Sequence, residues 1–246
     1  MPRAPFVPQQ LVEGPFHISD ARRLGLSKDH LLGKSWRRFG AGFYAWRQIS
    51  DQPIIKLIAV QQRLPGGVLS DKTAAWLHGS DLEPTDPVEV TVDADANISR
   101  MSGLIVHRSR LEPSEISRRR GLKVTTRTRT FADLGRRLPL VEATAALDQA
   151  LHLRLVSKPA LSAWATAHPG YRGVARLRRA LELAEPATES VMETRLRLLL
   201  VLAGLPRPRA QTVLTNTDGL FVGRVDLYYP SKNSRLSTTE QRTESA

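Results

Sequence analysis

The 246-residue sequence has no cysteine, and its acidic residues are far fewer than its basic ones. Without cysteine, a disulfide framework, a thiolate metal site and a cysteine nucleophile are all excluded. No stretch reaches the roughly 18 uninterrupted apolar residues that a membrane span requires, so we expect no membrane association. Residues 1–10 hold three prolines and no apolar run, unlike a secretory signal. A cytoplasmic protein is the expectation.

The dominant positive feature of the composition is its charge. Lysine and arginine number 36 against 24 aspartate and glutamate, which gives a net charge of +12 and a pI of about 10.8. This balance favours a phosphate-rich partner, namely double-stranded DNA. Genomic composition bias is a competing explanation, because arginine outnumbers lysine 29 to 7. The hydrophobic fraction of 41% is that of a globular protein and excludes wholesale disorder.

Residues 1–50 have the outline of a winged helix-turn-helix domain. Two short helices are expected, each with a serine at its N-cap: residues 20–24 after Ser19, and residues 28–33 after Ser27. Residues 36–44 alternate aromatic residues with arginine and glycine, which is typical of a β-hairpin. In a winged helix the second helix enters the major groove and the hairpin contacts the backbone. The predicted DNA contacts are Ser27, Lys28, Asp29, His30, Arg37, Arg38 and Tyr44. The alternative is a helical module that only packs against a neighbouring domain.

Residues 51–170 are predicted to form an α+β domain. The expected helices and strands alternate along the chain: helices at 54–64 and 70–78, strands at 88–92, 104–107 and 122–125, and helices at 130–138 and 140–155. The sequence shows no catalytic constellation in this domain. No two of the six histidines lie within five residues of each other, which excludes a metal-binding histidine pair on one helix. Phosphate-binding P-loops and nucleophile elbows are also absent from the sequence.

Residues 186–230 are predicted to form a third, smaller domain. Its helix, 189–203, is apolar nearly all round in its second half, so we expect that half to be buried. Strands at 211–215 and 220–229 are joined through an Asp-Gly turn, a strong hairpin signal. Asp226 interrupts an apolar strand, which is costly unless the carboxylate binds a metal ion or pairs with a base.

Two families are recognisable from particular segments of the chain. The segments ESVMETRLRLLLVLAGLPRPRAQ and TDGLFVGRVDLYYP resemble the start of the very-short-patch-repair-like endonuclease domain, which looks like a reduced PD-(D/E)xK restriction-endonuclease α/β fold. The segments FHISDARRLGLSKDHL, SWRRFGAGFYAW and GLKVTTRTRTFADL resemble the AbiEi-type antitoxin of type IV abortive-infection systems. Together these resemblances cover the chain up to Pro230. The antitoxin resemblance implies a cognate toxin as a partner, with self-association as the alternative.

The nuclease resemblance implies a Mg²⁺ site in which a helix Glu, a hairpin Asp and a Glu on the next strand hold the ion. The first two correspond to Glu193 and Asp226, and carboxylates of this kind suit Mg²⁺. Each also has a simpler explanation, which is an ion pair of Glu193 with Arg197 or of Asp226 with Arg224.

Residues 231–246 depart from the nuclease family, whose pattern continues with Glu-Tyr-Asp-Gly and a His. This tail contains two apolar residues, so we expect it to be disordered. One permitted set of codons for 231–244, read in a shifted frame, encodes Gln-Lys-Leu-Ala-Ile-Glu-Tyr-Asp-Gly-Ala-Thr-His-Arg. We therefore hypothesise that the chain is a frameshifted, truncated product, which sequencing of the gene would test.

The sequence as a whole has an α+β fold class and predicts a DNA-binding, antitoxin-like regulator. Its nuclease-like domain is expected to be incomplete and without enzymatic activity, and no cofactor is expected. The alternative function is a Mg²⁺-dependent endonuclease of the very-short-patch-repair-like family.

Overall fold

The computed structural model describes residues 7–82, 87–98 and 101–230, and the backbone of 234–236. The predicted α+β class is confirmed: nine α-helices and eleven strands lie within the described part of the chain. They form two compact units, Met1–Thr126 and Arg127–Ala246. This division does not coincide with the predicted boundaries near residues 50 and 170. None of the helices in these described ranges has the length and apolarity needed to cross a membrane.

The N-terminal part of the first unit combines two short helices with a three-stranded sheet. Its elements follow in the order β1 Phe16–His17, α1 Ile18–Arg23, α2 Lys28–Leu31, β2 Trp36–Gly40 and β3 Phe43–Trp46. Strand β3 lies between β1 and β2, and both pairings are antiparallel. A hydrophobic cluster joins the helices to the sheet: Leu11, Phe16, Ala21, Leu26, Leu31, Trp36 and Tyr44. Both predicted helices and the hairpin are therefore present, although α2 is shorter than expected.

The rest of the first unit is a five-stranded sheet with two helices. The elements are α3 Pro53–Arg63, β4 Val68–Leu69, α4 Asp71–Leu77, β5 Val88–Val92, β6 Leu104–Arg108, β7 Ile116–Arg119 and β8 Leu122–Thr125. The strand order is β6-β5-β4-β8-β7, with β5/β6 and β4/β8 parallel and the other pairs antiparallel. Every residue of β5 is buried, and Leu57, Val60 and Leu69 belong to the core beside it.

The second unit begins with five helices. They are α5 Arg127–Arg137, α6 Leu140–His152, α7 Lys158–Ala167, α8 Val174–Leu183 and α9 Val191–Leu202. Helix α6 contacts α5, α8 and α9. Gly173 precedes α8 with φ of +85°, and a Cβ there would lie 2.2 Å from the carbonyl oxygen of Arg136. This close approach requires glycine.

Buried arginine–carboxylate pairs form within and between these helices. Asp133 accepts hydrogen bonds from Arg129 at 2.8 Å and from Arg136 at 2.6 Å, both on its own helix. Arg197 donates to Asp148 at 2.6 Å, which joins α9 to α6. Burial raises the pKa of Asp148, while the charge of Arg197 and the hydrogen bonds to the carboxylate act in the opposite direction.

The second unit ends in a three-stranded antiparallel sheet of β9 Arg209–Thr215, β10 Phe221–Tyr229 and β11 Ser234–Leu236, with β10 in the centre. The expectation of disorder throughout the tail is wrong for Ser234–Leu236, because backbone pairing with β10 does not require apolar side chains. Residues 231–233 and 237–246 lie outside the described residues.

Helix α9 corrects a second expectation, that the second half of this helix is buried. Leu198 is fully buried, but Leu199 is 66% and Leu202 50% exposed. Near the tip of the adjoining hairpin, Phe221 is 70% exposed. The three-stranded sheet is too small to cover every side of an apolar helix, so part of that surface faces solvent.

Candidate nucleic-acid interface

The two short helices α1 and α2 begin with side-chain caps. His17 caps α1: its Nδ1 accepts from the backbone N–H of Ser19, and Asp20 accepts from the backbone N–H of His17 at 3.0 Å. The Asp20 carboxylate also pairs with Arg23, and this hydrogen bond lowers the pKa of Asp20. The Asp20 carboxylate is therefore ionised, and it neutralises the charge of Arg23.

Helix α2 carries three of the predicted DNA contacts at its start. Ser27 Oγ accepts from the backbone N–H of His30 at 3.3 Å, and the backbone N–H of Ser27 donates to His30 Nδ1 at 2.9 Å. This reciprocal cap uses one nitrogen of the His30 ring. Ser27, Lys28, Asp29 and His30 are all exposed, so α2 presents a polar surface to solvent.

The hairpin turn has an unusual backbone. Gly40, Ala41 and Gly42 have φ values of +85°, +47° and +79°, so three consecutive residues are left-handed. A Cβ on Gly42 would lie 2.7 Å from Nε2 of His17. The Gly42 carbonyl oxygen also accepts from the N–H of Ile18 at 2.8 Å. The turn is thus fixed against the start of α1.

Arg37 and Arg38 occupy adjacent positions on β2, and both are exposed. Because successive side chains of a strand point to opposite faces, the two arginines leave β2 in different directions. Arg37 forms an exposed ion pair with Asp51, and its guanidinium carbon lies 5.9 Å from the ring centroid of Phe39. Exposed pairs of this kind contribute little stability, so Arg37 can exchange Asp51 for a phosphate at small cost.

An open groove of about 630 Å³ separates this hairpin from α3 and from the segment that leads into β6. Four cationic side chains line it: Arg37, Arg38, Lys56 and Arg63. We call this surface the basic groove. Its described lining residues include no carboxylate, and the remaining ones are apolar or small. The groove therefore concentrates positive charge beside β2 and the hairpin turn.

Lys56 and Arg63 are site residues that the sequence did not reveal. They lie seven residues apart on α3, which is two helical turns, and so they share one face of that helix. Arg63 Nη1 donates to the carbonyl oxygen of Phe39 at 2.7 Å. The available signal was the pair of basic residues at this spacing in a largely apolar helix, but nothing in the sequence connected them to the hairpin.

Tyr44 does not belong to this surface. It is 3% exposed, and its ring stacks on Phe16 with the centroids 6.3 Å apart. The prediction that Tyr44 contacts DNA is corrected accordingly. It lies on a hairpin strand whose inner face covers the hydrophobic cluster, and alternation along β3 directs its side chain inward.

The structure also brings together the two predicted nuclease carboxylates. Glu193 on α9 is buried, and its Oε2 accepts from Gln211 Nε2 at 2.7 Å. The same nitrogen lies 3.3 Å from Oδ1 of Asp226 on β10. Gln211, which sequence reasoning missed, therefore bridges the two carboxylates.

The two arginines of the simpler explanations pair with other carboxylates. Arg197 pairs with Asp148, so the expected Glu193–Arg197 ion pair is wrong. Arg224 forms a two-pronged ion pair with Glu189, at 2.8 Å for both hydrogen bonds.

The residues around Glu193 do not fit a Mg²⁺ ion as they stand. An amide N–H donor occupies the space between the two carboxylates, where a cation would need oxygen ligands. Within the described residues, no third Asp, Glu or His joins Glu193 and Asp226 in a metal-binding group.

Comparisons with known proteins support part of the sequence interpretation. Residues 66–183 match the family model of the AbiEi antitoxin C-terminal domain, in line with the predicted resemblance. Two uncharacterised proteins of Mycobacterium tuberculosis, Rv2248 of strain H37Rv and MT2308 of strain CDC 1551, are each 30% identical over 158 residues. That stretch covers 64% of this chain and 57% of either relative, so the chain spans little more than half their length.

A solved structure shares the fold. The crystal structure of the RV2827C protein from Mycobacterium tuberculosis superposes with a TM-score of 0.51, covering 80% of this chain and 78% of the other at 16% sequence identity. At this level of identity the likeness shows the fold alone.

Proposed function

We propose that the chain is an antitoxin-type regulator that binds double-stranded DNA through the basic groove and α2. The observation that carries this proposal is the basic groove, where four cationic side chains gather without a carboxylate among the described lining residues. The match of residues 66–183 to an antitoxin domain supports the regulatory part. The proposed function is therefore DNA binding, with a toxin as the second partner.

The groove acts through electrostatics. Each arginine or lysine that neutralises a phosphate releases condensed counterions, and this release makes binding strong at low salt and weak at high salt. Arg37 and Arg38 leave β2 in opposite directions, so they contact separate phosphates. Lys56 and Arg63 lie about 10 Å apart along the axis of α3 and extend the same positive surface.

Helix α2 supplies the contacts nearest the bases. It contains four residues, and His30 is held to Ser27 by the cap, so Lys28 is the side chain most able to reach outward. A helix this short reads few base edges. We propose that the groove provides most of the affinity and that α2 fixes the register on the duplex.

The test compares two double variants that remove the same charge. Arg37→Ala/Arg38→Ala removes two groove cations, whereas Arg178→Ala/Arg179→Ala removes two exposed arginines from α8 in the other unit. The first variant should bind a duplex more weakly and lower the salt slope by about 0.9 for each phosphate left without a cation. Equal affinities of the two variants and the unmodified chain at about 100 mM salt would contradict the proposal.

The antitoxin part requires a separate experiment. We propose that residues 66–183 bind a cognate toxin, encoded beside this gene, while the basic groove remains free for DNA. Co-expression of the full chain with the neighbouring gene product should yield a complex on purification and should relieve toxicity. Growth inhibition that persists with the full chain present would contradict the antitoxin assignment and leave the DNA-binding proposal untouched.

A further inference from the structure

Three side chains able to ligate a metal ion meet on one face of the five-stranded sheet. His107 Nε2 lies 3.0 Å from Glu89 Oε2 and 3.5 Å from Asp71 Oδ2. One potential ligand atom from each residue lies within 4.8 Å of the other two. Asp71 and Glu89 are buried, while the side chain of His107 is 22% exposed, so the cluster can be reached from solvent on the histidine side.

The sheet pairing produces this cluster. Strands β5 and β6 are parallel with Thr91 opposite His107, and Glu89 lies two residues before Thr91 on the same face. The N–H of Ser70 donates to the carbonyl oxygen of Glu89 at 3.1 Å, which continues the β4–β5 pairing by one residue. Asp71 follows directly as the first residue of α4.

Two buried hydroxyl groups share this face with the cluster. Ser70 lies opposite Glu89 and Thr91 lies opposite His107, so both side chains point to the same side of the sheet as the carboxylate and the imidazole. Both residues are 0% exposed. Neither Ser70 Oγ nor Thr91 Oγ1 has a hydrogen-bond partner among the residues that the structure describes. Buried hydroxyls nearly always have partners, so this polar face is suited to a further polar group.

The charges of the cluster favour a cation. Two carboxylates this close together repel each other in a buried environment, and within the cluster the histidine can offset one negative charge at most. A divalent cation offsets both negative charges. Hydroxyl groups beside a bound ion are suited to hydrogen-bond its water ligands, which gives Ser70 and Thr91 partners that the described side chains do not provide.

We propose that Asp71, Glu89 and His107 bind one divalent transition-metal ion. One imidazole nitrogen and two carboxylate oxygens form a mixed set that suits Zn²⁺, Mn²⁺ or Fe²⁺ better than the all-oxygen sites of Ca²⁺. Zn²⁺ binds such sets more tightly than Mn²⁺ or Fe²⁺, and three protein ligands leave a fourth position for water. The site is formed by residues other than those of the basic groove and of the Glu193–Asp226 pair.

The experiment uses the full chain after treatment with a chelator, and Zn²⁺ alone as the probe. Calorimetric titration should show one ion per chain. Asp71→Asn, Glu89→Gln and His107→Gln should each weaken binding by more than the roughly 10- to 100-fold that changes around metal ligands cost. The matched controls Asp93→Asn and His152→Gln, which replace exposed residues of the same types, should bind like the unmodified chain.

Two further measurements keep the proposal testable if a ligand variant fails to fold. Thr91→Val removes one buried hydroxyl and keeps all three ligands, so one ion should still bind, with a smaller loss of affinity. In the unmodified chain, Zn²⁺ should protect His107 from a histidine-modifying reagent and leave the exposed His152 reactive. Three results would each overturn the proposal: absence of stoichiometric Zn²⁺ binding, Zn²⁺ affinities of the three ligand variants equal to that of the unmodified chain, or reactivity of His107 that Zn²⁺ does not change.

Discussion

Arg63 Nη1 donates a 2.7 Å hydrogen bond to the backbone carbonyl oxygen of Phe39, and this bond joins helix α3 to strand β2 of the hairpin. Both residues line the basic groove. A Cβ added at Gly40 would lie 3.4 Å from the same guanidinium, so the turn leaves room for Arg63. The groove is therefore held in shape before any DNA is present, which lowers the entropic cost of binding.

Replacing Arg63 by lysine separates the effect of the groove's shape on DNA binding from the effect of its charge. Lysine keeps the positive charge but lacks the planar guanidinium that reaches Phe39. We expect weaker duplex binding with an unchanged salt slope, measured by fluorescence anisotropy across a salt series. Arg47→Lys, at an exposed position of the same part of the chain, serves as the control. Unchanged affinity of Arg63→Lys would show that the hydrogen bond does not organise the groove.

Gly42→Ala should destabilise the hairpin. Alanine at φ of +79° costs roughly 1–2 kcal/mol, and the added Cβ would also collide with His17 Nε2 at 2.7 Å. Urea denaturation should show a loss of at least this size. Gly66→Ala is the control, because a Cβ there meets nothing within 4 Å. Similar stabilities of the two variants would contradict the described turn.

Arg197→Met should destabilise the second unit by about 3–5 kcal/mol, because it leaves Asp148 buried without its cation. The exposed pair of Arg195 with Glu142 provides a matched control, and Arg195→Met should cause a much smaller loss of stability. Thermal unfolding of both variants measures the difference. Equal losses would mean that burial of the Arg197 pair has no energetic consequence.

The stability of Arg197→Met relative to the unmodified chain should depend on pH. Burial raises the pKa of Asp148 above its ordinary value, and removal of Arg197 eliminates an interaction that lowers it. A raised folded-state pKa gives stability that is present below the unfolded pKa and is lost as pH rises through the folded value. The stability gap between Arg197→Met and the unmodified chain should therefore widen as the pH rises above the folded-state pKa of Asp148 in the unmodified chain, which already lies above the ordinary value. A gap independent of pH would contradict this account.

Mg²⁺ should not induce cleavage of plasmid DNA by the purified chain. Gln211 places an N–H donor between Glu193 and Asp226, which leaves two carboxylates without a site suited to the ion. Agarose-gel analysis of supercoiled plasmid measures this directly. Nicking that depends on Mg²⁺ and disappears in Asp226→Ala would support the endonuclease alternative instead.

Exposed apolar residues of the second unit should promote self-association. Leu199 and Phe221 are 66% and 70% exposed, and apolar surfaces of this kind favour contacts between molecules. Leu199→Lys/Phe221→Lys should shift the sedimentation profile towards the monomer. The control Leu153→Lys replaces a leucine that is 39% exposed on another part of the unit. Identical profiles for all three proteins would argue against association through this surface.

Local sequence patterns predict much of the fold. Strand β5 is predicted with the observed bounds Val88–Val92, and α3 and the β9–β10 hairpin within a few residues. These elements have strong local signals, namely β-branched alternation, helical periodicity and an Asp-Gly turn. Helix α8 is absent from the sequence prediction, although Val174, Leu177 and Leu181 recur at helical spacing. Strand β7 is missed because Ile116 is its one apolar residue.

The sites are harder to predict because they depend on long-range pairing. Arg37 and Arg38 are identified from a basic hairpin, but Lys56 joins them only through the packing of α3. Glu89 and His107 lie 18 residues apart and meet only because β5 and β6 are parallel in one specific register. A one-residue shift of that register would send the two side chains to opposite faces.

The parallel pairing of β4 with β8 sets the order in which the first unit can be built. Leu69 lies opposite Val124, so the central strand of the sheet obtains its second neighbour from a segment made much later. During synthesis, one edge of the β4–β5 pair stays uncovered until β8, which ends at Thr125, has left the ribosome. Such long-range closure slows folding and exposes strand edges. The first unit should therefore need protection of this strand edge by chaperones during synthesis.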